Sequence, residues 1–112
     1  LIEGAIFKDK NSLLVEDLMT DGQSKINFIN NIRSHEIKCN LGMVVFKYNI
    51  FEDADQILKK NNIEVHYLTD WEEVYNEIYK MDKFGLDILS EIRKFLDDPV
   101  AWSNKKNQFN DV

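Results

Sequence analysis

Two short, uninterrupted apolar runs constrain the fold most. Leu13-Leu14-Val15 and Leu41-Gly42-Met43-Val44-Val45-Phe46 do not alternate with polar residues. Each therefore suits a strand covered on both faces, as in parallel sheets. Between them, the stretch from Gln23 or Ser24 to about Ser34 carries Ile26, Ile29 and Ile32, which gives a helix one apolar stripe. Phe51 to Asn62 predicts a second helix through Ala54, Ile57 and Leu58, and Ile63 to Leu68 a third strand. Strand, helix, strand, helix, strand is the order of a parallel sheet with right-handed crossovers.

The remainder reads as helical. Thr69-Asp70-Trp71-Glu72 has the pattern of a capping box, in which hydroxyl and carboxylate satisfy free N–H groups of the first turn. Trp71, Val74, Tyr75 and Ile78 then share a face, and Leu89, Ile92 and Leu96 mark a further helix. Asp98-Pro99 fits an N-cap followed by Pro at the first helical position, opening a short helix near Val100 to Lys106 anchored by Trp102. The expected fold class is α/β: a parallel sheet of about three strands with flanking helices. Residues 1–112 form one domain, with a strand/helix core over roughly 1–68 and a helical tail over 69–112.

Composition limits the partners. With 112 residues, 44% of them hydrophobic, and only four Gly and one Pro, the chain suits one small packed domain without a flexible linker. Its net charge is -6, from 20 acids against 14 bases, and basic residues cluster only at Lys59-Lys60 and Lys105-Lys106. Displacing counterions from nucleic-acid phosphates needs more than that, so no nucleic-acid partner is expected. A small phosphorylated ligand is compatible, because one helix terminus holds a phosphate locally. The single cysteine, Cys39, excludes an intrachain disulfide and reads as a small buried hydrophobe in a reducing cytoplasm. No apolar run approaches the roughly 20 residues of a membrane span, so no membrane partner is expected. The start, Leu1-Ile2-Glu3-Gly4, has neither the basic end nor the apolar stretch of a signal peptide. It also lacks Met, which suggests a fragment or a processed product.

The chemistry lies after the first strand. Ligands of open parallel sheets bind outside C-terminal strand ends, where the pattern places Glu16 and Asp17. The turn Thr20-Asp21-Gly22 then opens a helix whose first N–H groups have no helical partner and favour an anion. Gly22 allows positive φ, and Thr20 and Ser24 add hydroxyl donors. Two carboxylates followed by an anion cradle suit a ribose 5-phosphate. Breaking a bond at its anomeric carbon builds positive charge on the ring, which nearby carboxylates stabilise. They also suit Mg²⁺ held through its waters, with no direct protein ligand. Spacing alone fits equally a solvated strand end followed by an ordinary capped turn.

These residues resemble the phosphoribosyl diphosphate (PRPP) motif of type I phosphoribosyltransferases: apolar strand, two acids, two apolar residues, then a Thr/Gly/Ser turn. Val15-Glu16-Asp17-Leu18-Met19-Thr20-Asp21-Gly22, Phe46-Lys47-Tyr48-Asn49-Ile50-Phe51 and Phe95-Leu96-Asp97-Asp98-Pro99-Val100-Ala101-Trp102 extend the resemblance to the bacterial orotate phosphoribosyltransferase branch. It implies the C-terminal part of a Rossmann-like fold, a homodimer, and Mg²⁺-dependent transfer from PRPP to orotate, giving orotidine monophosphate and diphosphate. By position, Glu16 and Asp17 would act at the ribose as the catalytic carboxylates. Thr20, Asp21, Gly22, Gln23 and Ser24 would hold the 5-phosphate, and Lys47 would face the orotate carboxylate.

The sequence departs from the family pattern at several points. Many relatives carry a second small residue where Gln23 stands, and a side chain fits there only on helical backbone. Asp21 sets a negative group beside the phosphate, pointing away or capping the helix. Phe46-Lys47-Tyr48-Asn49 replaces the Asp-Arg pair of many orotate enzymes, which leaves a phosphoribosyltransferase for another base as a rival reading. The family's diphosphate loop, mobile catalytic loop and hood all precede this motif, yet eleven residues precede Ser12. A truncated chain, inactive by itself, is the expectation, and its uncovered sheet should self-associate. A non-catalytic PRPP- or nucleotide-binding module, or a structural one, is the rival from another class. His35 and His66 lack zinc-like spacing and read as structural or surface residues. Trp71, Tyr75, Tyr79 and Trp102 read as core or dimer contacts. Glu52, Asp53 and Asp55 read as helix N-terminal charges, and Cys39 as no catalytic thiol.

Overall fold

The computed structural model describes residues 4, 8 and 10–110, so the start, Leu1 to Glu3, lies outside the described residues. In chain order the elements are β1 (Asn11–Met19), α1 (Gln23–Arg33), β2 (Lys38–Lys47), α2 (Glu52–Lys60), β3 (Glu64–Asp70), α3 (Trp71–Met81), α4 (Leu86–Asp97) and α5 (Pro99–Asn110). The three strands pair in the order β1-β2-β3, all parallel, as the apolar runs required. Two compact units result, Leu1–Asp70 and Trp71–Val112.

In the first unit, both crossovers step in the same direction. A fixed right-handed crossover then puts both helices on one face of the sheet. Ile26 and Ile29 of α1 and Ala54 and Leu58 of α2 accordingly share a core with Leu14, Val44 and Cys39. Leu13 pairs with Leu41 and Val15 with Met43 in register. These four, with Val45, are exposed on the sheet. Ser12 pairs with Cys39 but Leu13 with Leu41, so Asn40 is an extra residue. One inserted residue inverts the alternation. Cys39 is thereby buried while Leu41, two residues on, is exposed.

The ends of α2 show why periodicity alone misplaces boundaries. The helix stops at Lys60, short of the expected Asn62. Asn62 adopts φ 55°, Ile63 N–H donates to Leu58 O (2.9 Å) and Asn62 N–H to Lys59 O (3.1 Å). That is a Schellman stop with Asn in the left-handed position. The strands run longer than their apolar runs. β1 continues through both acids to Met19, because Leu18 and Met19 still find register partners in Phe46 and Lys47. β3 likewise extends to Asp70, and α3 starts at Trp71.

In the second unit, Trp71, Val74, Tyr75 and Ile78 are all half-buried, as the stripe implied, whereas Tyr79 is exposed. Arg93 of α4 donates through Nη1 to Glu72 Oε2 (3.0 Å) and through Nε to Asp97 Oδ1 (3.0 Å). Its guanidinium sits 4.9 Å from the Tyr75 ring centroid. Its hydrogen bond to Glu72 holds the guanidinium pKa above the ordinary arginine value, against a smaller lowering by burial. Asp98 caps α5 through Oδ1 to Ala101 N–H (3.0 Å), ahead of Pro99 as expected. The helix runs to Asn110, beyond the predicted Lys106. Trp102 anchors it edge-on to Phe95 (5.4 Å) and through Nε1–H to Glu91 (2.8 Å).

Candidate functional site

The turn between β1 and α1 has the geometry that its composition suggested. Gly22 sits at φ 89°, ψ -10°, directly before the helix. A β-carbon there would lie 3.0 Å from Met19 Cε, so glycine suits this position on both conformational and packing grounds. Gln23 is the first helical residue, the one backbone state in which its side chain fits. That side chain turns along the helix to Asn27 (3.0 Å). The first bond of the helix ladder is donated by Ile26 N–H to Gly22 O (3.1 Å). The N–H groups of Ser24 and Lys25 precede the ladder and remain available to an anion. Asp21 does act in the turn: its Oδ1 accepts from Gln23 N–H (3.1 Å), occupying one donor of the cradle. Thr20 and Ser24 are exposed.

Glu16 and Asp17 lie within β1 rather than beyond its end. Successive strand residues leave the backbone on opposite sides, so the two acids do not form a side-by-side pair. Glu16 shares the register row of buried Val44 and forms an ion pair with Lys25 of α1. Lys25 is only 5% exposed, and a buried ammonium requires such a partner. Asp17 is exposed, and among the described residues none bonds its carboxylate.

Lys47 occupies the end of β2 in register with Met19, beside the turn. It does not present a free ammonium. It is 5% exposed, its Nζ bonds Asp55 Oδ1 of α2 (2.6 Å), and it lies 5.2 Å from the Tyr67 ring centroid. The segment after it is tied to β1 by Tyr48 N–H to Met19 O (2.9 Å). Tyr48 stacks on Phe51 at 6.5 Å. Asn49, at φ 55°, donates to Asp70 Oδ2 (3.1 Å). Asp55, read from sequence only as a helix N-terminal charge, thus also neutralises a buried lysine.

Two residues escaped the sequence reading. Lys25 falls on the apolar stripe with Ile29 and Ile32, and a charge on that stripe signals a buried partner. Arg33 ends α1 and donates to Cys39 O (2.9 Å), Asn61 O (2.7 Å), Asn40 Oδ1 (2.8 Å) and Asn62 O (3.1 Å). No short-range pattern could reveal those partners. Away from the site, His66 pairs with Glu64 and His35 Nδ1–H donates to Asn31 O (2.8 Å). Among the described residues no group of three His, Cys, Asp or Glu could hold a metal ion. No helix among them is long and apolar enough to cross a membrane.

No family model matches the chain. The orotate phosphoribosyltransferase of Ruegeria sp. (strain TM1040) is 41% identical over 107 residues, covering 94% of this chain and 47% of that protein. Its namesake from Roseobacter denitrificans is 39% identical over 107 residues, covering 94% and 48%. That from Agrobacterium fabrum is 36% identical over 104 residues, covering 93% and 45%. The chain spans about half the length of these curated relatives. The solved structure of Leishmania donovani UMP synthase superposes with a TM-score of 0.72 at 19% identity, over 84% of this chain and 21% of that one, a likeness of fold. Over nearly its whole length, the chain is similar to about half of each of these orotate phosphoribosyltransferases.

Proposed function

We propose that this chain is the PRPP-binding part of an orotate phosphoribosyltransferase, which transfers ribose 5-phosphate from PRPP to orotate and yields orotidine monophosphate and diphosphate. The observation that carries this reading is the left-handed Gly22 opening α1 directly after a strand that carries two acids. The 5-phosphate lies against the turn from Thr20 to Ser24, where helix-end N–H groups and two hydroxyls converge on it. Asp17, whose carboxylate has no partner among the described residues, accepts from the ribose hydroxyls. Glu16 offers the oxygen that Lys25 leaves open. As the bond to diphosphate lengthens, positive charge grows on the ring; Glu16, held by Lys25, and the exposed Asp17 stabilise it.

Mg²⁺ fits this donor set only through water, since one free carboxylate is no cage for a hard cation. When bound, it would supply positive charge to offset the negative charge of the diphosphate. The acting protein is expected in the cytoplasm as a homodimer. A second reading, transfer to another base, is favoured by one observation: Lys47, the residue expected at the orotate carboxylate, is spent on Asp55. A panel of bases offered to the whole protein separates the two.

Calorimetric titration with ribose 5-phosphate, and with PRPP plus Mg²⁺, is expected to show one saturable site per chain. Absence of heat in a chain folded by circular dichroism would count against the reading. The exposed sheet residues Leu13, Val15, Leu41, Met43 and Val45 predict self-association of this chain, since parallel sheets are normally covered on both faces. Light scattering should show a species heavier than the 13.2 kDa monomer, and a monodisperse monomer would refute it.

A further inference from the structure

We propose that Lys25 is a positioning residue for the ribose: it holds Glu16 in place from across the phosphate turn and never touches the ligand. This rests on the reading above, in which the turn takes the 5-phosphate and the acids take the ribose. Glu16 enters the turn on β1 and Lys25 leaves it as the third residue of α1. Their ion pair therefore spans the residues that form the cradle. The two side chains are unequally buried, 6% exposed for Lys25 and 30% for Glu16. A ligand thus reaches the carboxylate but not the ammonium. Lys25 binds Oε2, which leaves Oε1 to accept from a ribose hydroxyl.

A strand carboxylate without this partner would sample several rotamers and lose part of its binding energy in being ordered. Burial makes the arrangement obligatory from the lysine's side. A buried lysine left without its carboxylate partner is strongly destabilising, so Glu16 is held whenever α1 is packed.

The test compares ribose 5-phosphate with inorganic phosphate by calorimetry, on the full chain and on K25M, K25R, E16Q and E16Q/K25M. The ratio of the two affinities reads the ribose contribution alone. It is expected to fall on the order of tenfold in K25M, equally far in E16Q, and no further in the double variant. K25R should restore most of it. A stabilising role confined to the fold would lower both affinities together and leave the ratio unchanged. Lys25 as a positioning residue is overturned if K25M keeps the wild-type ratio, or if its loss adds to that of E16Q. The double variant buries no unpaired charge, so it remains testable even where K25M fails to fold; a ratio in it different from that of E16Q also overturns the proposal. Equal affinity of the unmodified chain for both ligands would instead remove the ribose assignment itself, and this proposal with it.

Discussion

Replacing Arg33 with Met is expected to destabilise the first unit by about 2–3 kcal/mol. The guanidinium, carried by the end of α1, gathers four acceptors from two places: the bulge of β2 and the turn that closes α2. Asn61 O and Asn62 O lie just past the C-terminal end of α2, where partial negative charge collects. Cys39 O lies just before the extra residue Asn40, where the ladder is interrupted. Methionine fills the same volume along the stem but donates nothing, so these oxygens lose a charged partner. Lysine is expected to recover little, because one ammonium cannot reproduce a planar fork aimed at separate acceptors. Urea unfolding of the chain and of R33M and R33K measures this. A loss below about 0.5 kcal/mol, the range of an ordinary surface substitution, would show that the network contributes nothing net.

That network also marks where the sequence stopped being informative. The parallel sheet was legible because Leu13-Leu14-Val15 and Leu41 to Phe46 are apolar without alternation, and no other sheet type needs that. The helices were legible through Ile26, Ile29 and Ile32, and the start of α5 through Asp98-Pro99. The glycine turn was legible because few residues other than Gly22 can hold φ 89°. Partnerships across the sheet were not legible. Lys47 looked free because Asp55, eight residues on, reads as a helix N-terminal charge; the crossover folds α2 back so that it serves both roles. The acids looked like a matched pair because adjacency in sequence hides alternation in a strand. The bulge at Asn40 left no compositional mark, yet it decides which of Cys39 and Leu41 is buried.

Gly22→Val is expected to abolish measurable binding of ribose 5-phosphate, a loss of at least about a hundredfold, on the order of 3 kcal/mol. The backbone must leave φ 89°, because a left-handed conformation costs an L-residue roughly 1–2 kcal/mol and a β-branched one is a genuine outlier there. The β-carbon would press on Met19 Cε at 3.0 Å and lie 3.8 Å from Leu58, inside the core rather than toward the ligand. The substitution therefore does not block the cradle; it acts by rotating the peptide units that aim the N–H groups of the first turn. Gly22→Ala, with the same strain but one methyl, should weaken binding by roughly tenfold and keep the fold. The order glycine, alanine, valine thus reads backbone conformation against affinity in a single series. If valine binds as tightly as glycine in a folded protein, the phosphate does not sit on this turn, and the two acids lose the ligand that places them.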